Sequence, residues 1–330
     1  MSQRLPRADV VLMGVTLVWG SSFVAMRHAL DTAPPLALLF FRFLVAAALA
    51  AGAVARRPRP AGVLRDGLVL GGILALGMSL QVVGQAETTA SKAAFLTGLA
   101  VVLTPFVAVL RTRRLPSLPN GLGILLASAG FVLLTFPAAG GPINRGDLFV
   151  SACGVVFAFY GVELAERAGR HDALWLTAIQ VTVTAAVAGV LSLALRLPAL
   201  SGLPAAALEA RAIPWRGSFP WSVAYLGSVC TVLAFLGWTW AQGRMTAVHG
   251  AIILALEPVF AALFAAWLLA ERLGGRGFAG GALVLAGILV SEEPWRRLIP
   301  PRPAQQVDRL AAGGVSGANA REEPPGAGAK

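Results

Sequence analysis

The sequence predicts an all-α integral membrane protein, with ten transmembrane helices arranged as two inverted five-helix repeats. Three observations lead there. Charged residues make up 13% of the chain and hydrophobic residues 57%, with a mean hydropathy of +0.73. A soluble domain carries about 25% charged residues, so this chain cannot cover a globular surface with polar groups. The apolar residues gather into ten stretches that read as membrane spans. The chain also states one plan twice: an apolar span with a central proline, a charged hairpin, then a Gly/Ala-rich span. It runs from Lys92 to Leu134 around Pro105, and from His249 to Leu289 around Pro258. Duplication at this scale points to a repeat architecture.

Taken in order, the spans are Val10–Leu30, Leu36–Ala55, Gly67–Ala86, Ala93–Leu110, Gly121–Phe136, Leu148–Leu164, Ala173–Leu195, Trp221–Ala241, Gly250–Ala270 and Gly277–Val290. Arg4 and Arg7 ahead of the first span would suit a signal peptide. The apolar run is longer than such a segment needs and has no small-residue cleavage site, so it reads as a retained helix. The fourth and ninth spans carry Pro105 and Pro258, each of which removes a backbone donor and strands the carbonyl four residues earlier, at Val101 and Leu254. From Thr89 to Pro105 the first copy is about one helical turn longer than the second is from Thr246 to Pro258. The tenth span is rich in Gly and Ala, with Gly277 and Gly281 at the spacing that lets helices approach closely. A homodimer is one use for that face, packing within the chain the other. The hairpin before it holds Glu271, Arg272 and Arg276. The long loop 196–220, with Pro198, Pro204, Pro214 and Trp215, is expected to lie along the membrane interface. The tail, residues 296–330, is expected to be a disordered cytoplasmic segment on its Pro, Gly and Ala content.

Basic residues orient the chain. With the N-terminus inside, 18 Lys and Arg fall on inner segments and 7 on outer loops. The positive-inside rule therefore expects both termini in the cytoplasm of a cell with an inner membrane. Five spans per half is odd, so the second half enters from the opposite side, the arrangement that supports alternating access. A net charge of +11 would suggest nucleic acid in a soluble protein. Here the arginines sit in short loops and sort by side, so the expected partners are the lipid bilayer and a small-molecule substrate, not nucleic acid.

In these respects the chain resembles the EamA-type transporters of the drug/metabolite transporter superfamily, from Asp9 to Ser291. The marks in the first half are Trp19-Gly20-Ser21-Ser22-Phe23, Phe41-Arg42-Phe43, and Thr89 to Gly98 leading to Pro105. Those in the second are Leu256-Glu257-Pro258-Val259-Phe260, Leu268-Leu269-Ala270-Glu271-Arg272, Gly280-Gly281-Ala282-Leu283 and Ala286-Gly287-Ile288. The resemblance implies two EamA repeats, here residues 9–137 and 146–291, around a central substrate cavity. Family members move amino acids, metabolites or toxic compounds, often outward.

Several residues suit a substrate or coupling site. Glu257 lies about 13 Å into its span, where an ionisable group is a functional candidate by default. It suits a cationic group or a proton, or a protonated bond to a neighbouring helix; Thr104 is its repeat counterpart. Arg42 lies about 10 Å into the second span, too deep to reach water easily. It suits a substrate carboxylate, a structural pair with Glu257, or a cap on carbonyls between helices; Gln180 stands opposite it in the second repeat. Trp19 reaches the midplane rather than the interfacial belt and suits a stacking wall or simple packing, with Phe157 as counterpart. Gln85, Thr97, Tyr160 and Trp238 complete the candidates, with Gln81, Glu163 and Gln242 behind them. Each alone is as readily an interhelical hydrogen bond.

The same residues argue against other functions. An enzyme would want paired acids or an activated nucleophile at membrane depth; the spans offer isolated groups, and the histidines stand far apart at positions 28, 171 and 249. Cys153 and Cys230 lie in apolar spans without neighbouring ligands, so no metal, disulfide or cofactor is expected. No phosphate-binding loop is present, which leaves a proton or substrate gradient as the drive. The reading is a secondary exporter of a small metabolite or amino acid, with proton coupling open. The alternative is a sensor or assembly subunit without transport, for which the tail is too short to be an output domain.

Overall fold

A computed structural model describes residues 7–88, 90–113, 115–135, 143–268 and 275–291, and among these there is helix and no strand. Over the described residues, which leave out Phe136, Leu269 and Ala270, each predicted apolar span falls on a helix. These are α1 (Arg7–Leu30), α2 (Pro35–Val54), α3 (Val63–Glu87), α4 (Ala90–Thr112), α5 (Leu118–Thr135), α6 (Arg145–Ala168) and α7 (Ala173–Leu195). They continue with α8 (Phe219–Gln242), α9 in two pieces (Ala247–Leu254 and Leu256–Leu268) and α10 (Gly275–Ser291). Six of them, α1, α2, α3, α6, α7 and α8, are long and apolar enough to cross a membrane, and the other four hold shorter apolar segments. The hairpin residues Glu271 and Arg272 and the tail 296–330 lie outside the described residues.

Local chemistry places the helix starts. Asn144 and Asp147 form a reciprocal capping box ahead of α6, and Asp172 accepts the amides of Leu174 and Trp175 to start α7. Thr246 accepts the His249 amide at the start of α9. Helix α2 begins with Pro35 at its first position, and its first free amides are satisfied from a distance. Glu209, 1% exposed at the end of the short helix Pro204–Glu209, accepts from Leu36 N at 3.0 Å and Ala37 N at 2.9 Å. The same carboxylate accepts from the Ser192 hydroxyl at 2.5 Å. The loop after α7 thus folds back onto α2 and α7, and Trp215 packs edge-on to Phe41 at 4.6 Å.

The two prolines behave differently. Helix α9 breaks at Ala255, just after the carbonyl that Pro258 deprives of a partner, whereas α4 runs unbroken through Pro105. A third irregularity has no proline behind it. Within α8, Ser228–Leu233 forms a wide π-helical turn in which the Ala234 amide reaches back five residues to the Val229 carbonyl.

Packing couples the halves. The most extensive contacts are α5 with α10, α2 with α7 and α3 with α6. Helix α1 packs against both α8 and α9, and α6 against both α3 and α4. Large apolar side chains point outward, among them Leu122 and Leu125 on α5 and Phe278, Leu285 and Leu289 on α10, as a lipid-facing surface requires.

Close approach of α5 and α10 depends on missing side chains. A Cβ on Gly287 would stand 2.6 Å from the Gly123 carbonyl and 2.9 Å from the Ala127 amide; one on Gly130 would stand 2.5 Å from the Gly280 carbonyl. The glycine face of α10 is therefore used inside the chain. Gly281 is not the closest point, since a Cβ there would meet only Val259, at 3.6 Å. Replacing Gly287 with Ala should cost about 1–3 kcal/mol, because backbone must move to admit the methyl. Gly281→Ala should be near neutral. Thermal unfolding of the two purified variants in detergent checks this, and equal melting temperatures would refute the packing argument.

Candidate functional site

One alcove, about 1010 Å³ counted out to its mouth, is lined by residues of α1, α2, α3, α4, α6, α8 and α9. Its walls follow helical stripes. Trp19, Phe23 and Met26 come from α1, Met78, Gln81 and Gln85 from α3, and Phe235, Trp238 and Gln242 from α8. Each set recurs every three or four residues, as one face of a helix must.

The structure brings together Trp19, Arg42, Gln85, Thr97, Trp238, Glu257 and Pro258, all on the alcove wall. Gln81, Gln242 and Thr104 join them. Tyr160 and Gln180 do not line it. They are buried behind the wall, the Tyr160 hydroxyl donating to Gln180 Oε1 at 2.5 Å while its ring sits 4.9 Å from Trp238. Pro105 is also off the wall, because the neighbouring residue Thr104 takes the facing position. Glu163 is elsewhere altogether, held by ion pairs to Arg111 and Arg167 at a helix end. His249 ties helices together at another end, its Nε2 3.4 Å from Asp9 and its Nδ1 3.2 Å from Ser291.

Arg42 is 4% exposed, and its partners lie in the π turn. Its Nε donates to the Thr231 hydroxyl at 2.6 Å and its Nη2 to the Cys230 carbonyl at 3.4 Å. Of the structural partners open to it, the structure provides the carbonyl, not Glu257. Trp19 Nε1 donates to the same Cys230 carbonyl at 3.0 Å. The indole then forms the centre of an aromatic wall, 5.1 Å from Trp238 and 5.3 Å from Phe235.

Glu257 stands just past the break in α9. It is half-buried, faces the alcove, and makes no hydrogen bond or ion pair with any described residue. The alcove thus offers one uncommitted carboxylate, one guanidinium with Nη1 to spare, several amides and hydroxyls, and aromatic and thioether walls. Such a mixture suits a small amphipathic molecule. No group of three His, Cys, Asp or Glu side chains among the described residues could hold a metal ion. Cys153 and Cys230 are buried and free.

Sequence reasoning missed Met26, Met78 and Phe235 on the wall. Their spacing from Trp19, Gln81 and Trp238 was available, but in a span where every face is apolar the spacing alone does not say which face meets the cavity.

Every acceptor that Arg42 touches has another partner, since Cys230 O also binds Trp19 and Thr231 Oγ1 donates to Leu226 O at 2.7 Å. Arg42→Met should therefore change thermal stability by less than about 1 kcal/mol. Combining it with Trp19→Phe leaves the Cys230 carbonyl bare of side-chain donors and should cost about 1 kcal/mol more than the two single losses together. A double-mutant cycle of unfolding midpoints measures that coupling.

Comparisons with known proteins agree in direction. The model of the EamA-like transporter family matches residues 6–136 and 144–291. An "uncharacterized transporter" of Archaeoglobus fulgidus is 27% identical over 283 residues, covering 86% of this chain and 85% of that one. A "probable terminal-alkyne amino-acid exporter" of Streptantibioticus cattleyicolor is 27% identical over 296 residues, 87% of this chain and 94% of its own. A "probable amino-acid metabolite efflux pump" of Salmonella typhimurium is 28% identical over 291 residues, 84% and 92% of the two chains. A solved crystal structure at 19% identity shares the fold with a TM-score of 0.68, covering 86% of this chain and 96% of its own.

Proposed function

The chain belongs to the EamA-like transporter family, a family of multi-pass membrane transporters rather than enzymes, and from that premise we propose that it exports a small metabolite or amino acid by alternating access of the alcove. The observation that carries this reading is the uncommitted Glu257 carboxylate beside a broken helix, on the wall of a cavity shared by both halves of the chain. A carboxylate at membrane depth without a permanent partner is costly, and it is retained where a cationic substrate group or a proton meets it. The names of the two amino-acid exporting relatives point to the same substrate range.

Ten membrane-crossing helices in two inverted repeats, residues 9–137 and 146–291, give the alcove its means of alternation. The packing supports this: α3 meets α6 and α7 as α8 meets α1 and α2, and α4 meets α6 as α9 meets α1. The alcove wall follows the same relation, with Trp19 opposite Phe157, Met78 opposite Phe235 and Gln85 opposite Gln242. Rocking one half against the other would expose the same wall to either side. A single chain encloses the site, and α5 covers the glycine face of α10, so transport does not require a homodimer through that face.

Proteoliposomes loaded with a panel of labelled amino acids and small metabolites test the reading. Efflux driven by a pH gradient, lost in Glu257→Gln, is the expected outcome. Flux that persists in Glu257→Gln with no pH dependence would remove Glu257 from coupling. Absence of flux for every compound by folded protein would overturn the transport reading itself.

The excess of basic residues on one set of loops supports a topology with both termini in the cytoplasm and the protein in an inner membrane. A fluorescent protein fused after Lys330 should fold and emit in cells, while alkaline phosphatase fused at the same place should be inactive.

A further inference from the structure

Gln85 and Gln242 hold the same place in the two halves. With Thr89 set against Thr246, residues 81–93 run opposite 238–250 without a gap. Both glutamines line the alcove, and both are almost fully buried, 2% and 1% exposed. Their hydrogen bonding is opposite.

The Gln242 carboxamide is engaged at both its oxygen and its nitrogen. Its Oε1 accepts from the Trp238 indole at 3.1 Å and its Nε2 donates to the Thr246 carbonyl at 3.2 Å. It lies across Gly250, where an added Cβ would stand 2.7 Å from its Nε2. The first half has changed both supports. Opposite Trp238 stands Gln81, whose Nε2 turns instead to the Thr97 hydroxyl at 3.2 Å. Opposite Gly250 stands Ala93, whose methyl is buried in a cluster with Phe23 and Val150. Gln85 therefore has neither an indole to accept from nor bare helix to lie on. Its Nε2 is buried and has no hydrogen-bond partner among the described residues.

An unmade amide donor in a low-dielectric site carries the full penalty of its lost hydration. A chain that keeps one on a cavity wall gains from it when a ligand supplies the acceptor. The charge on the same wall narrows what that acceptor is. Arg42 faces no carboxylate within ion-pair distance among the described residues, its bonds going to Thr231 and Cys230. The alcove therefore holds a guanidinium without an ion-pair partner as well as an unmade donor, beside the separate carboxylate of Glu257, and an anionic acceptor suits each of the first two.

We propose that Gln85 is the residue that selects substrates bearing a carboxylate, its free amide donating to a carboxylate oxygen, while Gln242 is the structural counterpart that has lost that capacity. Glu257 is left to receive the amine of the same molecule. The inference rests on the transport reading and names which end of the substrate each wall group recognises.

The test is binding by the full-length protein in lipid nanodiscs, with L-phenylalanine and phenethylamine as probes, two molecules that differ only by the carboxylate. Wild type should bind phenylalanine more tightly than phenethylamine. Gln85→Met should weaken phenylalanine by about tenfold or more and leave phenethylamine unchanged. Gln85→Glu should reverse the preference. Gln242→Met should lower thermal stability and affect both probes alike. A wild type that holds phenethylamine no less tightly, or a Gln85→Met that changes both affinities equally or neither, would overturn this inference and leave transport standing. Wild type that binds neither probe and moves no compound of the flux panel would overturn both.

Discussion

The constraint on which the structure depends is that a backbone carbonyl or amide released at membrane depth must find a partner inside the protein. Three places raise it here, and at two of them the partner comes from a distant part of the chain. The π turn in α8 turns the Ala234 amide away from the Cys230 carbonyl, which accepts from Trp19 and Arg42. The first amides of α2 are met by Glu209. The break in α9 is closed locally, the Ala255 amide bonding back to Ala251 and Ile252. Two of these repairs fix the relation of α1 and α2 to α7 and α8, which is the frame that holds the alcove open.

Symmetry and its violation divide the work inside that frame. The two halves supply the wall in pairs, but the members of a pair differ in what they leave free. Gln242 is bound and Gln85 is not. Arg42 reaches the alcove, whereas Gln180 is withdrawn behind it with Tyr160. Pro258 breaks its helix and sets Glu257 on the wall, whereas Pro105 leaves α4 continuous and turns away. A duplicated scaffold gives the cavity its position, and the divergence of the copies gives it a polar direction.

The ends of the helices carry a separate set of interactions. Asp66 pairs with Arg167 at 3.3 Å and with His171 at 2.8 Å, while Arg111 bridges Glu163 at 3.0 Å and Glu166 at 3.4 Å, joining α3, α4 and α6. Thr88 donates to Asp147 at 2.5 Å between the end of α3 and the start of α6. The half-exposed Arg111 pairs contribute little to stability singly. Together the ion pairs cross-link α3 and α4 to α6 and to the turn that follows it.

Much of this protein was legible in its sequence. The helical membrane class, the places of the apolar spans and the family follow from hydropathy and motif spacing, both local properties that add along the chain. The two prolines and the charged Glu257 and Arg42 were visible for the same reason: each breaks a local rule. What only the tertiary structure decided is rotation and partnership. Arg42 meets a carbonyl 188 residues away rather than Glu257, Gly287 rather than Gly281 makes the tight approach to α5, and of two aligned glutamines just one has a carboxamide nitrogen with no partner among the described residues. Hydropathy cannot supply these answers in a bilayer. Lipid and protein interior are equally apolar, so the faces a helix turns to each read alike, and shape and hydrogen bonding between helices must settle the choice.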